Sequence, residues 1–262
     1  MITYAQNFED VVLWRALKNI KDGFYVDVGA WSPDLDSVTR HFYENGWNGI
    51  NIEPNPEFHN QYIAQRERDI NLKVAISDSI GEIDIYLCDN PGLSSLDKSI
   101  VEEHKKTGWN NISSKTLVTT LNKVFKEHCQ NKDIHFLKID IEGYEKQALL
   151  GNDWLRYRPW IVVIEATLPM SQVENYQDWE YILLESDYTF AYADGLNRFY
   201  VAQEHSELLD SFKYPPNVFD GFVLNSLIMA EQRAEQAEQR AEQAEQRAEQ
   251  AEQRAEQAEQ RA

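Results

Sequence analysis

Residues 1–229 read as one α/β domain, a mostly parallel sheet with helices on both faces, followed by a heptad-repeat helix at 230–262. Three observations predict this. Short β-rich apolar runs alternate with helical stretches, the pattern of βαβ units. Acidic residues stand at the ends of the apolar runs. From Ala230 onward the unit AEQRAEQ repeats to the end, and a seven-residue period is a coiled-coil signal.

In chain order, YAQNFEDVVLWRALKNI predicts a partly amphipathic helix ending at Asp22-Gly23. FYVDVGA is a strand entering the loop WSPD, and SVTRHFYENG a helix closed by Gly46. GINIEPNP is a second strand, FHNQYIAQRERD a helix, and LKVAISD a third strand. GEIDIYLCD alternates like a hairpin partner, and residues 90–115 are polar and irregular. KTLVTTLNKVFKEHC reads as helical. FLKIDI is a strand running into a short helix from Tyr144, and WIVVIEA another strand. ENYQDWEYILLESD is a helix, and YTFAYADGLNRFYVAQ two strands joined by a tight turn. That final hairpin predicts an antiparallel strand at or near one sheet edge.

Net charge is −19 for the chain. Such an acidic balance argues against nucleic acid or an anionic membrane surface as the main partner. Cys88 and Cys129 form no CxxC and sit near no histidine pair, so a structural zinc is not expected. There is no run of 18 apolar residues and no basic leader followed by an apolar stretch, which predicts a cytoplasmic protein without a membrane span.

In parallel sheets ligands sit beyond the carboxyl ends of the strands. Four such ends carry acids, Asp27, Glu53, Asp78 and Asp140, and Glu165 in VVIEA makes a fifth. Gly29 lets backbone approach a ligand closely. Glu53 lies 24 residues beyond Gly29, near the spacing of about 20 at which an acid accepts ribose hydroxyls. Yet DVGAWSPD is not GxGxxG, and Asp34 and Asp36 would repel a pyrophosphate. The loop suits a ligand with a ribose and no phosphate. S-adenosyl-L-methionine is such a ligand, and an acid-lined cleft favours its sulfonium and ammonium groups. Asp78 is placed to accept from the adenine amine, with Ile76 against the ring. Methyl transfer needs alignment of nucleophile and methyl carbon, plus a base for a hydroxyl.

The stretches YVDVGA, SVTRHFYENGWNGINIEPNP, AISDSIGE and FLKIDIEGYEKQALLG together resemble the FkbM-type methyltransferases. The likeness extends to YAQNFEDVVL at the start and to GLNRFYVAQEH and PPNVFDGF near the end, about residues 1–225. It implies a seven-strand Rossmann-like fold and S-adenosylmethionine-dependent chemistry. Cofactor contacts are implied at Asp27, Gly29, Glu53 and Asp78, and KIDIEGYE should line the reaction chamber. Gln6, Glu9 and Asp10 should close over the methionine end. Members are commonly sugar or polyketide O-methyltransferases, which implies a sugar hydroxyl of a bacterial glycan or its precursor as acceptor. AWSP departs from the family's smaller, more polar loop.

Asp140 is the first candidate beside the transferred methyl, with Glu142 as helper or cap of the following helix. Lys138 is expected to neutralise a neighbouring acid, since a lone buried ammonium is costly. Ser94, Ser95, Trp109 and Arg198 are candidate substrate contacts, Arg198 because its guanidinium can fork onto a carboxylate or phosphate. No histidine is assigned as base, and the polar loop at His104 stays open. Asp140 and Glu142 suit Mg²⁺ through water, but no second ligand set is evident, so no metal is assigned. The rival readings are a nicotinamide-binding oxidoreductase, against which the missing glycines count, and a non-catalytic scaffold assembled through the tail.

In the tail, Ala234 at a and Ala237 at d set Arg240 at g facing Glu245 at e of a parallel partner. A homo-oligomer through an all-alanine seam and a lone solvated helix are both open. Either way the tail is expected to be a spacer or assembly handle outside catalysis.

Overall fold

The computed structural model describes residues 1–88, 94–96, 102, 106, 108–130, 132–168 and 171–259. β1 (Ile2–Thr3) leads into α1 (Glu9–Leu17), β2 (Phe24–Val28), α2 (Arg40–Glu44), β3 (Asn48–Ile52), α3 (Pro56–Gln65) and β4 (Ile70–Leu72). Next come β5 (Ala75–Ile76), β6 (Gly81–Cys88), β7 (Asn111–Thr119), α4 (Leu121–His128), β8 (Phe136–Ile139), α5 (Glu145–Leu150) and β9 (Ile161–Glu165). α6 (Glu180–Leu184), β10 (Tyr188–Ala193), β11 (Asn197–Ala202), β12 (Val223–Leu224) and α7 (Asn225–Glu259) follow, with 3-10 segments at Tyr176–Asp178, Gln203–Phe212 and Val218–Asp220.

The main sheet has seven strands in the order β10-β11-β9-β8-β2-β3-β4. Only β11 runs against its neighbours β9 and β10; the other pairs are parallel. From β2 the chain steps outward to β3 and β4, then returns to lay β8 on the other side of β2. Strand order therefore reverses between β2 and β8, where a ligand crevice opens in such sheets.

Period-two alternation divides the core between the two faces. Val26, Val28, Leu137, Ile139, Val162 and Ile164 belong to one cluster. Tyr25, Phe136, Ile161 and Val163 belong to the other, which takes in Val12, Leu13 and Leu17 of α1. Both faces are covered, so every residue of β2 and of β9 is buried, as unbroken apolar runs require.

Register then sets up the site. Val28 pairs with Ile52 and with Ile139, Ile139 with Ile164, and Glu165 with Asn197. One step beyond the first three positions, Glu53, Gly29 and Asp140 fall in one row with Glu165 and Asn197. Register partners share a face of the sheet, so the acids of this row converge on one side.

Three elements depart from the sequence expectation. LKVAISD is not one strand: β4 stays in the main sheet, while β5 joins a separate three-stranded sheet ordered β5-β7-β6. Lys115–Thr119 is strand, not helix: Lys115 to Val118 pair with β6 from Asp84 to Gly81, and Thr119 pairs with Ile76 of β5. The β-branched residues of TLVTT favour a pleated surface, and α4 starts only after Thr120, whose Oγ1 accepts from Lys123 N at 3.2 Å. α1 stops at Leu17, short of Asp22-Gly23.

α7 begins at Asn225, five residues before the repeats, and residues 231–248 are all exposed. At 35 residues it extends roughly 50 Å. Arg15 ties its root to the domain: Nε and Nη2 each lie 2.7 Å from an Asp220 carboxylate oxygen. Because the repeats bury nothing against the domain in the described residues, a chain ending at Met229 is expected to keep the stability of the domain within about 0.5 kcal/mol. Denaturant unfolding of both forms checks this; a larger loss would show that the tail packs on the domain.

Candidate active site

A cavity of about 660 Å³ opens at the switch point, within the range of small-molecule sites. The loops after β2, β3, β8 and β9 form its floor, and the start of α1 reaches it from one side. Gln6, Glu9, Gly29, Glu53, Asp140 and Glu142 all line it, as do Ser94 and Ser95. Among the described residues no histidine does; His104 lies outside them.

Gly29 is required by backbone geometry. Its φ is +74°, and a Cβ there would stand 1.7 Å from the Asp140 carbonyl oxygen. The two strand ends touch at this point, and only a glycine lets them.

Lys138 is the counter-ion expected. Its Nζ lies 3.5 Å from Asp27 Oδ1 and 3.3 Å from Asp140 Oδ2, and donates to the Gly29 carbonyl at 3.0 Å. Asp27 is buried beneath the cavity floor and does not line it. Its task in this structure is to hold Lys138. The nearby acids keep the Lys138 ammonium protonated against the desolvation that opposes it.

Glu53 is 8 % exposed. Its Oε1 accepts from Asn55 N at 2.7 Å and its Oε2 from Trp31 N at 2.9 Å. Burial nonetheless pushes its carboxyl up to about 7. Glu9 accepts from Asn197 Nδ2 at 2.8 Å and Asn7 N at 2.9 Å, and burial, with Asp194 nearby, raises it to about 7. Asp10 does not line the cavity; it gathers Thr3 Oγ1 and the Tyr4 and Ala5 amides, which shapes the N-terminal segment that does.

After β8 the chain turns sharply through Glu142 at φ +50° and Gly143 at φ +93°. Glu145, not Glu142, stabilises this turn: its Oε1 accepts from Ile141 N at 3.3 Å and Gly143 N at 3.1 Å. Glu142 is thereby freed from a capping role. Its Oε2 is buried and makes no hydrogen bond among the described residues. Burial, with Asp140 and Glu145 close by, pushes its carboxyl up to about 9. Carboxylate atoms of Asp140, Glu142 and Glu165 lie within 4.8 Å of one another. Burial beside these acids also raises Glu165 well above the usual range.

Ser95 Oγ donates to the Glu142 carbonyl at 2.8 Å, and Ser94 Oγ accepts from Cys88 N at 3.2 Å. Both serines thus belong to the rim. Three other candidates lie away from it. Asp78 is exposed, because β5 ends at Ile76 and the chain turns outward; Ala75 and Ile76 form the wall there. Trp109, before β7, does not line the cavity. Arg198 donates to Glu180 Oε1 at 2.8 Å and stacks 3.7 Å from the Tyr176 ring centroid, so its charge is already paired. Glu165 is legible in the sequence as a strand-end acid, whereas Thr167, Asn197 and Glu145 carry no such signal there.

The doubly wound sheet, the acid row at its switch point and the cavity above them define an α/β domain with a cavity of small-molecule size. The profile of the methyltransferase FkbM domain matches residues 27–191, well over half of the chain. The protein belongs to the FkbM methyltransferase family. No curated protein matches it.

Two predictions follow from the charges. Replacing Lys138 with Met leaves Asp27 and Asp140 without their cation and should destabilise the fold by about 3–5 kcal/mol, as breaking a buried pair does; an unchanged denaturation midpoint would remove Lys138 from this role. The second concerns pH. Glu9, Glu53, Glu142 and Glu145 hold protons more tightly folded than unfolded, where their value is 4.5. The folded state therefore binds more protons than the unfolded chain, and stability falls as pH rises. Buried His41 and His135, held below 6.5, act in the opposite sense at lower pH. Above about pH 6.5 they no longer oppose the trend, so the melting temperature should drop steadily from there to about pH 9.

Proposed function

We propose that this methyltransferase uses S-adenosyl-L-methionine to methylate a hydroxyl, and that the acceptor is a sugar of a bacterial glycan or its precursor. The observation that carries the reading is Glu53 beside Gly29 at the switch point. A buried carboxylate stands where a ribose diol can donate to it, on a loop without the glycines or free positive charge that a pyrophosphate needs. The excess of acids over the single Lys138 suits a cationic ligand. Trp31 Nε1, a buried donor without a partner among the described residues, gives the same wall one more polar group to satisfy.

The bound cofactor supplies an electrophilic methyl carbon. Glu53 holds the ribose end, Ile76 offers an apolar wall for the base, and Gln6 and Glu9 take the amino-acid end. Asp140 sits nearest the centre of the row and is assigned to orient the acceptor hydroxyl and receive its proton, with Glu142 assisting. Ser94 and Ser95 stand on the rim where an acceptor enters. The family membership supports methyl transfer, and the sugar assignment rests on the kinship of the chain's motifs.

Calorimetry with S-adenosylhomocysteine and with NAD tests the cofactor. Binding of the first alone is expected, and Glu53→Ala should weaken it by about 1–3 kcal/mol through loss of charge-assisted ribose bonds. Binding of NAD instead, or an affinity indifferent to Glu53, would overturn the assignment.

A further inference from the structure

Asp140, Glu142 and Glu165 each bring one carboxylate oxygen into a group no more than 4.8 Å across. They come from two strand ends and the turn between β8 and α5. Such crowding of like charges is unfavourable unless something compensates it. Lys138 compensates only in part. Its ammonium is 3.3 Å from Asp140 and is shared with Asp27 at 3.5 Å. Glu145 nearby is already engaged by the Ile141 and Gly143 amides.

A second observation lies outside the acids. Thr167 is 3 % exposed, and its Oγ1 makes no hydrogen bond among the described residues. An unpaired buried hydroxyl is costly. Thr167 lies two residues beyond Glu165 on extended chain, which directs both side chains to one side. Both line the same cavity as Asp140 and Glu142. An unpaired neutral oxygen donor therefore lies on the same side of the chain as Glu165, in the wall of the cavity that the three carboxylates line.

We propose that Asp140, Glu142 and Glu165, with Thr167 Oγ1, form a binding site for one hard divalent cation of the Mg²⁺, Mn²⁺ or Ca²⁺ class. The donors are all oxygen, which selects these ions over Zn²⁺ or Cu²⁺. Metal–oxygen bonds of about 2.1–2.5 Å put opposite ligands roughly 4.2–5 Å apart, which the observed span accommodates. Such ions take six or more ligands. Four protein oxygens therefore leave positions for water or for an oxygen of the acceptor. In that last respect the site rests on the methyltransferase reading above. Cation binding itself does not, and it is measured without cofactor or acceptor so that either can fail alone.

The test uses Mn²⁺ as probe on the full chain, followed by calorimetry and by loss of the free-ion electron paramagnetic resonance signal. One Mn²⁺ per chain is expected, displaced by Mg²⁺ or Ca²⁺. Glu165→Gln and Glu142→Gln should each weaken binding at least tenfold, and Thr167→Val by a smaller factor. Glu142 Oε2 makes no hydrogen bond among the described residues, so if Glu165→Gln fails to fold, Glu142→Gln decides alone. Absence of binding at millimolar Mn²⁺ would overturn the proposal. So would weak binding indifferent to these substitutions, which would report the glutamates of the tail.

Discussion

The ammonium of Lys138 sits between Asp27 and Asp140 and donates to the carbonyl of Gly29. Through these contacts it ties the end of β2 to the end of β8, the two strands between which the sheet reverses. Asp27 and Lys138 are register partners on these strands. Asp27 is buried, with Thr39 Oγ1 donating to its Oδ2 at 3.4 Å, and an unpaired charge at either residue would be costly. Gly29 completes the junction because its missing Cβ lets the Asp140 carbonyl fit against it. The floor of the cavity is this junction, and the acids above it are spaced by it.

Around that floor the protein maintains an arrangement that works against its own stability. Glu9, Glu53, Glu142, Glu145 and Glu165 are all raised by burial and by neighbouring acids. Folds rarely concentrate such groups without a use for them. The surrounding structure pins each one differently. Glu53 is held by two amides, Glu9 by Asn197 and Asn7, and Glu145 by the turn it organises. Glu142 is the least satisfied, on a residue in left-handed backbone whose carboxylate keeps a buried oxygen unpaired. Strain and unpaired polarity at one residue mark the place where ligand chemistry is to be sought.

Much of this was readable in the chain. The charges of FLKIDIE fall on alternate positions, so Lys138 and Asp140 had to share a face. The acids after each apolar run pointed to the carboxyl edge of the sheet, and Glu53, Gly29, Asp140, Ser94 and Ser95 do meet there. Less was readable where neighbours in space decide the outcome. Asp78 follows an apolar run like the others, but β5 leaves the main sheet for the small one, and the chain turns Asp78 to solvent. Arg198 looks like a free anion-binding fork, but Glu180 on α6 neutralises it. Lys115–Thr119 lies directly against a helical stretch, and only pairing with β6 shows it to be strand.

Local periodicity, turn residues and family motifs were enough to determine the alternation of strands and helices, the acidic strand ends and the methyltransferase kinship. These follow from interactions between residues close in sequence, or from patterns that one face of one element carries by itself. The lateral register of the sheet could not be read in that way. It depends on how strands far apart in sequence slide against each other, Val28 and Ile139 being 111 residues apart. That register sets Glu53, Gly29, Asp140, Glu165 and Asn197 in one row, and with it the cluster of Asp140, Glu142 and Glu165. Hydrogen-bonded pairing fixes such spacing to a fraction of a residue, and no local property of the chain encodes it.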